Sequence, residues 1–318
     1  MKKRRCFTRY LLVIFIISLL FNGCNKSTNV NGEYISRSSF LLNTVVTITI
    51  YDKQEEEILN NAFDLISEYE HIYSKTYKES ELYKLNLELS TNKDIIPINI
   101  SEKLFDIIEV GLYYSDMSNG AFDITIEPVI SLWDFTGKNP SLPSKKDIDN
   151  KLQYIDYRSL QLKNGQIISY KPGSSIDLGA IAKGYIADKV KDYLVSTGVE
   201  SAIINLGGNV LCIGNKPDGT PFKIGIQKPF ADRDETTAIM DITDLSVVSS
   251  GIYERYFTLD DNIYHHIVNP ISGYPYDNDL VSVSIISEKS VDGDGLSTSC
   301  FALGLEKGME LVESIPNT

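Results

Sequence analysis

Two stretches, Gly120-Ala-Phe-Asp-Ile-Thr-Ile-Glu-Pro-Val-Ile-Ser-Leu-Trp-Asp134 and Ile176-Asp-Leu-Gly-Ala-Ile-Ala-Lys-Gly-Tyr-Ile-Ala-Asp188, decide how this chain is read. Both set acids and glycines inside apolar runs, where a packed core gains nothing from them. Local rules broken without structural gain mark functional sites. The second stretch runs into a helical pattern, Ile181 to Ser196, with Ile186, Val190 and Leu194 on one face. Upstream, Phe40 to Tyr51 alternates as a strand, with Val46, Ile48 and Ile50 on one face, and Gln54 to Tyr73 repeats at helical spacing. Ser101 is placed to cap a helix through about Met117. Downstream, strand-like runs dominate: Leu160 to Tyr170, Ala202 to Ile213, Phe222 to Gln227, Ala238 to Ser249, Ile263 to Val268 and Leu280 to Ser287. A last helix is expected after Asp294, over about Leu296 to Leu305. Helices early and antiparallel-looking strands late predict an α+β fold: one compact unit of mixed, largely antiparallel sheet with packed helices.

The N-terminus predicts where the protein works. Lys2, Lys3, Arg4, Arg5 and Arg9 precede an apolar run from Tyr10 to Phe21 that ends at Asn22-Gly23-Cys24. This is the pattern of a secretory signal peptide, residues 1–23, and the run is short for a spanning helix, which needs about 20 apolar residues. A small residue before Cys24 is similar to a bacterial lipoprotein cleavage site, so Cys24 is the expected lipidation point; a simple uncleaved anchor is the alternative. Residues 24–33 are then expected to form a lipidated polar tether, and 34–318 the folded body, held outside the cytoplasm on the cell membrane.

Without residues 1–23 the chain has 25 Lys and Arg against 43 Asp and Glu. A phosphate backbone is bound by clustered Lys and Arg; none is present, which excludes a nucleic-acid partner. An acidic protein that handles a phosphorylated small molecule needs a cation or helix N-termini instead. Cys212 and Cys300 sit in apolar runs and read as small buried hydrophobes. Three histidines in the whole chain leave little for a zinc site.

Asp292-Gly-Asp294-Gly-Leu-Ser297-Thr298 puts a carboxylate and two hydroxyls within one helical turn. Asp294 is either an ordinary N-cap or a ligand of Mg²⁺, which takes one or two carboxylates plus phosphate oxygens. At Asp177-Leu-Gly-Ala180, Gly179 and Gly184 allow backbone to approach a ligand and Lys183 could meet its phosphates; a solvent-facing lysine is the plain alternative. Asn205-Leu-Gly-Gly-Asn209 fits neither a Walker loop nor a Gly-x-Gly-x-x-Gly dinucleotide loop and reads equally as a bulge or turn. Tyr264-His265-His266 ends a strand, and one imidazole there could serve as a general base.

In order along the chain stand Tyr73-Ser-Lys-Thr-Tyr77-Lys-Glu-Ser-Glu-Leu-Tyr-Lys-Leu-Asn86, Gly120-Ala-Phe-Asp123 with Leu132-Trp133, and Asp177-Leu-Gly-Ala-Ile-Ala-Lys183-Gly-Tyr. Asn205-Leu-Gly-Gly208, Ser249-Ser-Gly251, His266-Ile-Val-Asn-Pro-Ile-Ser-Gly-Tyr-Pro275 and Asp294-Gly-Leu-Ser-Thr298 follow. This series resembles the FAD:protein FMN transferases of the ApbE type over nearly the whole mature chain. The resemblance implies a Mg²⁺-dependent enzyme that moves FMN from FAD to a Ser or Thr hydroxyl of a membrane redox protein, within Asp-x-x-Ser/Thr-Gly-Ala-Ser/Thr, and releases AMP. It implies flavin contacts at Leu42, Tyr77, Ala121, Phe122 and Asp123, and at Asp177, Lys183, His266 and Ile267. It implies a metal held by Asp294, Thr298, Ser297 and the Ala180 carbonyl. His266 is the expected base for the acceptor hydroxyl, with Asp177 or Asp123 competing. Departures from the family pattern are Asn43 for a glycine near Thr44, Ser250 after Ser249 where threonine-serine is common, and Gly295 for an alanine. Two other readings stay open: an FAD pyrophosphatase giving FMN and AMP, and a lipid-anchored flavin-binding protein without chemistry.

Overall fold

The computed structural model describes residues 34–135, 141–232 and 235–315. The expected signal peptide, Cys24 and the tether lie outside the described residues. A six-stranded antiparallel sheet forms the centre, in the order β1 (Ile35–Leu41), β2 (Thr44–Ile50), β6 (Ala202–Leu206), β7 (Asn209–Ile213), β10 (Ser246–Gly251), β13 (Ser282–Ser287). The alternation in β2 sets its register. Val46, Ile48 and Ile50 are fully buried and pair with Leu206, Ile204 and Ala202, while Val45 points outward. Each such buried aliphatic contributes about 1.5–3 kcal/mol, and a one-residue slip would expose the whole set.

Helices α1 (Glu56–Tyr73), α2 (Glu81–Thr91) and α3 (Glu102–Met117) precede the short α4 (Glu127–Ile130) and α5 (Lys145–Leu152). Ser80, Ser101 and Ser144 cap α2, α3 and α5 through side-chain oxygens that accept from the amide three residues on. The expected strand over Leu160 to Tyr170 is a hairpin, β4 (Gln161–Lys163) and β5 (Gln166–Ser169), which with β3 (Ile98–Asn99) makes a three-stranded sheet. Asn164-Gly165 turns it with positive φ at both residues. Likewise Ala202 to Ile213 is two strands, folded at Gly207-Gly208. The stretch Ala238 to Ser249 divides between β9 (Thr236–Ile242), which pairs with β8 (Phe222–Gln227), and the central β10. The last hairpin is β11 (Tyr256–Leu259) with β12 (Asn262–His265).

The helix expected to begin after Asp294 begins earlier. α7 spans Ser290–Leu303, so Asp294 lies in its second turn and is not its N-cap. Asp292, Gly293 and Gly295 read as loop because local propensity opposes a helix there. Packing overrides it: a Cβ on Gly293 would stand 2.5 Å from Val248, and one on Gly295 2.6 Å from the Tyr114 ring. The helix start is capped from elsewhere, since Asp188 Oδ1 and Oδ2 accept the Ser290 and Val291 N–H groups at 2.7 and 2.9 Å. Gly304 (φ 80°) ends α7, and α8 (Leu305–Glu313) follows.

Asp188 belongs to α6 (Ala182–Ser196). This helix packs on α7 with backbones almost touching: a Cβ on Gly184 would lie 2.3 Å from the Ser290 carbonyl oxygen and 2.7 Å from Val291 Cα. Gly184 therefore admits a neighbouring helix, where the sequence suggested a ligand.

Candidate active site

A cleft of about 920 Å³ gathers most of the residues singled out in the sequence. Leu42, Ala121, Phe122, Asp123, Asp177, Ala180, Lys183, His266, Ile267, Asp294 and Thr298 all border it. Tyr77 and Ser297 do not. Tyr77 is half exposed and stands edge-on to His71, with ring centroids 5.1 Å apart. Ser297 is fully buried; its hydroxyl donates to the Asp294 carbonyl at 3.2 Å and lies 2.8 Å from Ser250 Oγ.

The β1–β2 turn overhangs the cleft. Leu42 and Asn43 both have positive φ, 55° and 56°, a geometry that two-residue hairpins favour and that asparagine tolerates far better than leucine. The Leu42 N–H is held by Glu70 Oε1 at 2.8 Å. Asp123 turns its oxygens into the fold: Oδ1 accepts from the Thr125 amide and hydroxyl at 2.7 and 2.6 Å, and Oδ2 from the Tyr157 N–H at 3.3 Å. Burial raises its carboxyl above the usual range, against the pull of these bonds.

Asp177 is anchored on both oxygens. Oδ2 meets Lys75 Nζ at 2.6 Å and Oδ1 accepts the Gly179 N–H at 2.7 Å. Glu127, held by Ser175 at 3.0 Å, stands 3.7 Å behind Lys75. Burial alone would raise the Asp177 carboxyl, but Lys75 and the Gly179 amide outweigh it and keep it below the ordinary value. The unfolded chain then binds this proton more readily, so the pair's stabilisation is present above about pH 4 and is lost as pH falls through the depressed folded value. Lys75→Met is expected to lower the thermal midpoint near pH 7, with the gap to the unsubstituted protein narrowing near pH 3. Midpoints that stay equally far apart at both pH values would remove the ion pair as the cause.

His266 Nδ1 lies 3.2 Å from the Arg255 carbonyl oxygen. That oxygen can only accept, so the neutral ring carries its hydrogen on Nδ1 and keeps an acceptor lone pair on Nε2. Burial, then the nearby Arg255 charge, pulls the imidazole down to about 3, so the ring is neutral at physiological pH.

Asp294 is 4% exposed, and its carboxylate is gripped from two sides. Oδ2 accepts the Gly184 N–H at 2.6 Å and Oδ1 accepts Asn209 Nδ2 at 3.1 Å, with Lys183 Nζ 3.8 Å from Oδ1. Because the Gly184 N–H goes to Asp294, the Ala180 carbonyl has no amide donor from the first turn of α6 among the described residues. Thr298 Oγ1 lies 3.1 Å from Ser250 Oγ. The Ala180 carbonyl, the Asp294 carboxylate and the Thr298 hydroxyl belong to residues that line the cleft, and oxygen donors of these kinds suit a hard cation such as Mg²⁺. Among the described residues no three of His, Cys, Asp and Glu cluster as they would to hold a metal ion by themselves. The cleft lining carries Lys75, Lys183 and Arg255 against six carboxylates, so protein cations alone leave it acidic toward a phosphate chain. Sequence reasoning assigned no role to Lys75 or Arg255. Lys75 lay inside a quoted motif, whereas nothing in its sequence surroundings marks Arg255.

The α+β body thus surrounds a cleft lined by oxygen donors together with the basic side chains Lys75, Lys183 and Arg255. The chain belongs to the ApbE family, whose model matches residues 42–318. It is 38% identical to the FAD:protein FMN transferase of Klebsiella pneumoniae (strain 342) over 280 residues, covering 87% of this chain and 85% of the relative. It is 30% identical to that of Treponema pallidum (strain Nichols), covering 89% and 82%. The crystal structure of the ApbE protein from Thermotoga maritima superposes with a TM-score of 0.80 at 29% identity, covering 90% of this chain and 92% of that one.

Proposed function

We propose that this chain, as an FAD:protein FMN transferase, moves FMN from FAD to a Ser or Thr hydroxyl of an extracytoplasmic redox protein with the help of Mg²⁺, while anchored to the membrane through Cys24. The observation that supports the reading is that Ala180, Asp294 and Thr298 all line one cleft, with Lys183 Nζ 3.8 Å from Asp294 Oδ1. Bound there, Mg²⁺ would neutralise charge on the diphosphate. Lys183 and Arg255 would bind and orient the phosphates. The acceptor oxygen forms a new bond to the phosphorus of the FMN half; the bond from that phosphorus to the bridging oxygen breaks, AMP leaves, and the hydroxyl proton departs. His266 Nε2 would take that proton, since both Asp177 oxygens are already engaged. A ring this weakly basic suffices because phosphoryl transfer through a loose transition state depends mainly on positioning and electrostatics. Phe122, Leu42 and Ile267 would exclude water from the flavin side.

His266→Ala is expected to lower kcat by about 100-fold, the low end for loss of a general base. The pH profile should show no inflection from this ring between about pH 5 and 8. Near-normal transfer by the variant would remove His266 from the mechanism. The transferase reading itself is tested with an acceptor whose target hydroxyl has been deleted: AMP release should stop. Continued release of AMP with free FMN would make the chain a pyrophosphatase, and FAD binding without any AMP would make it a flavin carrier.

A further inference from the structure

We propose that Asn209 is a positioning residue for Asp294: it sets the rotation of the carboxylate so that its remaining lone pairs face the cleft as metal ligands. The inference rests on the Mg²⁺ reading above and concerns residues that the reading does not itself use. Asn209 opens β7 directly after the Gly207-Gly208 turn and is 1% exposed. Its Nδ2 donates to Asp294 Oδ1 at 3.1 Å, and its Oδ1 accepts from Ser290 Oγ at 2.7 Å. Ser246 Oγ lies 2.9 Å from Ser290 Oγ and 3.1 Å from the Val210 carbonyl oxygen, its one hydrogen being divided between them.

From Ser290 through Asn209 the donors point one way, to an oxygen that can only accept. Such series strengthen one another inside a protein, where the effective dielectric is low. The direction also fixes the Asn209 amide, because the flipped form would set its oxygen against the Asp294 carboxylate. The far end is anchored as well: Asp188 holds the Ser290 and Val291 amides, so Ser290 cannot drift from Asn209. With Gly184 N–H on Oδ2 and Asn209 on Oδ1, the plane of the carboxylate is determined while each oxygen keeps one lone pair free. Both ends of the Asn209 amide are paired, so it carries no uncompensated desolvation cost, and it leaves neither Asp294 Oδ1 nor the Ser290 hydroxyl without a partner.

The test is metal binding, read apart from turnover. The purified full chain, with FAD and without acceptor, is titrated with Mg²⁺ while its thermal midpoint is followed, since a ligand that binds only the folded state raises the midpoint by mass action. Asn209→Leu should require about 10–100-fold more Mg²⁺ for the same shift, the usual effect of removing a partner behind a metal ligand. FAD-to-acceptor transfer should recover most of its kcat at saturating Mg²⁺. Ser290→Ala, which removes only the donor behind Asn209, should produce a smaller rise of the same kind, and it carries the test if Asn209→Leu does not fold. An unchanged Mg²⁺ requirement, with only a lower metal-free midpoint, would reduce Asn209 to a structural residue and overturn the proposal. No Mg²⁺-dependent shift in the unsubstituted protein would instead overturn the metal reading, and this inference with it.

Discussion

Asp294→Asn is expected to abolish FMN transfer, with a loss exceeding the ~10–100-fold typical of changing a partner behind a metal ligand, and excess Mg²⁺ should not restore it. Two effects compete in this variant. An asparagine amide has one acceptor, but two donors, Gly184 N–H and Asn209 Nδ2, converge on this carboxylate. Either orientation sets one NH₂ against a donor, at about 1–3 kcal/mol. That cost lies below the stability of most domains, so the variant should fold with a lowered midpoint. The loss of activity should be much larger, because the cleft keeps its other five carboxylates but loses the one that Gly184 N–H and Asn209 hold in place beside Lys183. Transfer assays across a range of Mg²⁺ with far-UV circular dichroism decide the matter. A folded variant with turnover near normal at limiting Mg²⁺ would sink the metal assignment.

Gly184→Ala is expected to lower the thermal midpoint by about 10 °C. The sign runs against habit, since glycine to alanine inside an ordinary helix gains about 1 kcal/mol. Here the added carbon would meet the Ser290 carbonyl oxygen at 2.3 Å and Val291 Cα at 2.7 Å, both main-chain atoms that cannot rotate away. The helices must separate, and overpacking of this kind costs ~1–3 kcal/mol or more. Separation also weakens the Gly184 N–H bond to Asp294, a charge-assisted bond worth about 1.5–3 kcal/mol. These costs exceed the propensity gain. Differential scanning calorimetry checks it, and a midpoint equal to or above that of the unsubstituted protein would show that α6 and α7 are not locked at Gly184.

Much of the fold was legible because periodicity alone carries it. Val46, Ile48 and Ile50 alternate as a half-buried strand must, and α1 and α3 repeat their apolar faces with no competing signal. The turns inside the long strand-like runs were less visible, although Asn164-Gly165 and Gly207-Gly208 supplied the residues that such turns need. The start of α7 was hidden because its stability is entirely tertiary: glycines that oppose a helix locally are what let Val248 and Tyr114 pack against it, and its cap sits on another helix. The acidic and hydroxyl members of the cleft wall stood out as polar residues in apolar runs, which is why Asp177, Asp294 and Thr298 could be named. Asn209 and Lys75 could not be given roles, since their partners are distant in sequence: Lys75 meets Asp177 across 102 positions and Asn209 meets Asp294 across 85. Ser297 shows the converse limit. Helical spacing placed it beside Asp294 and Thr298, but the side of α7 it occupies faces the fold.

The most direct measurement is the intact mass of an acceptor domain carrying Asp-x-x-Ser/Thr-Gly-Ala-Ser/Thr after incubation with the purified chain, FAD and Mg²⁺, with AMP followed in parallel. A gain equal to one esterified FMN, matched by equimolar AMP and abolished by EDTA or by deletion of the target hydroxyl, is the expected result. An unmodified acceptor alongside stoichiometric free FMN and AMP, or an adduct that forms undiminished in EDTA, would contradict the account.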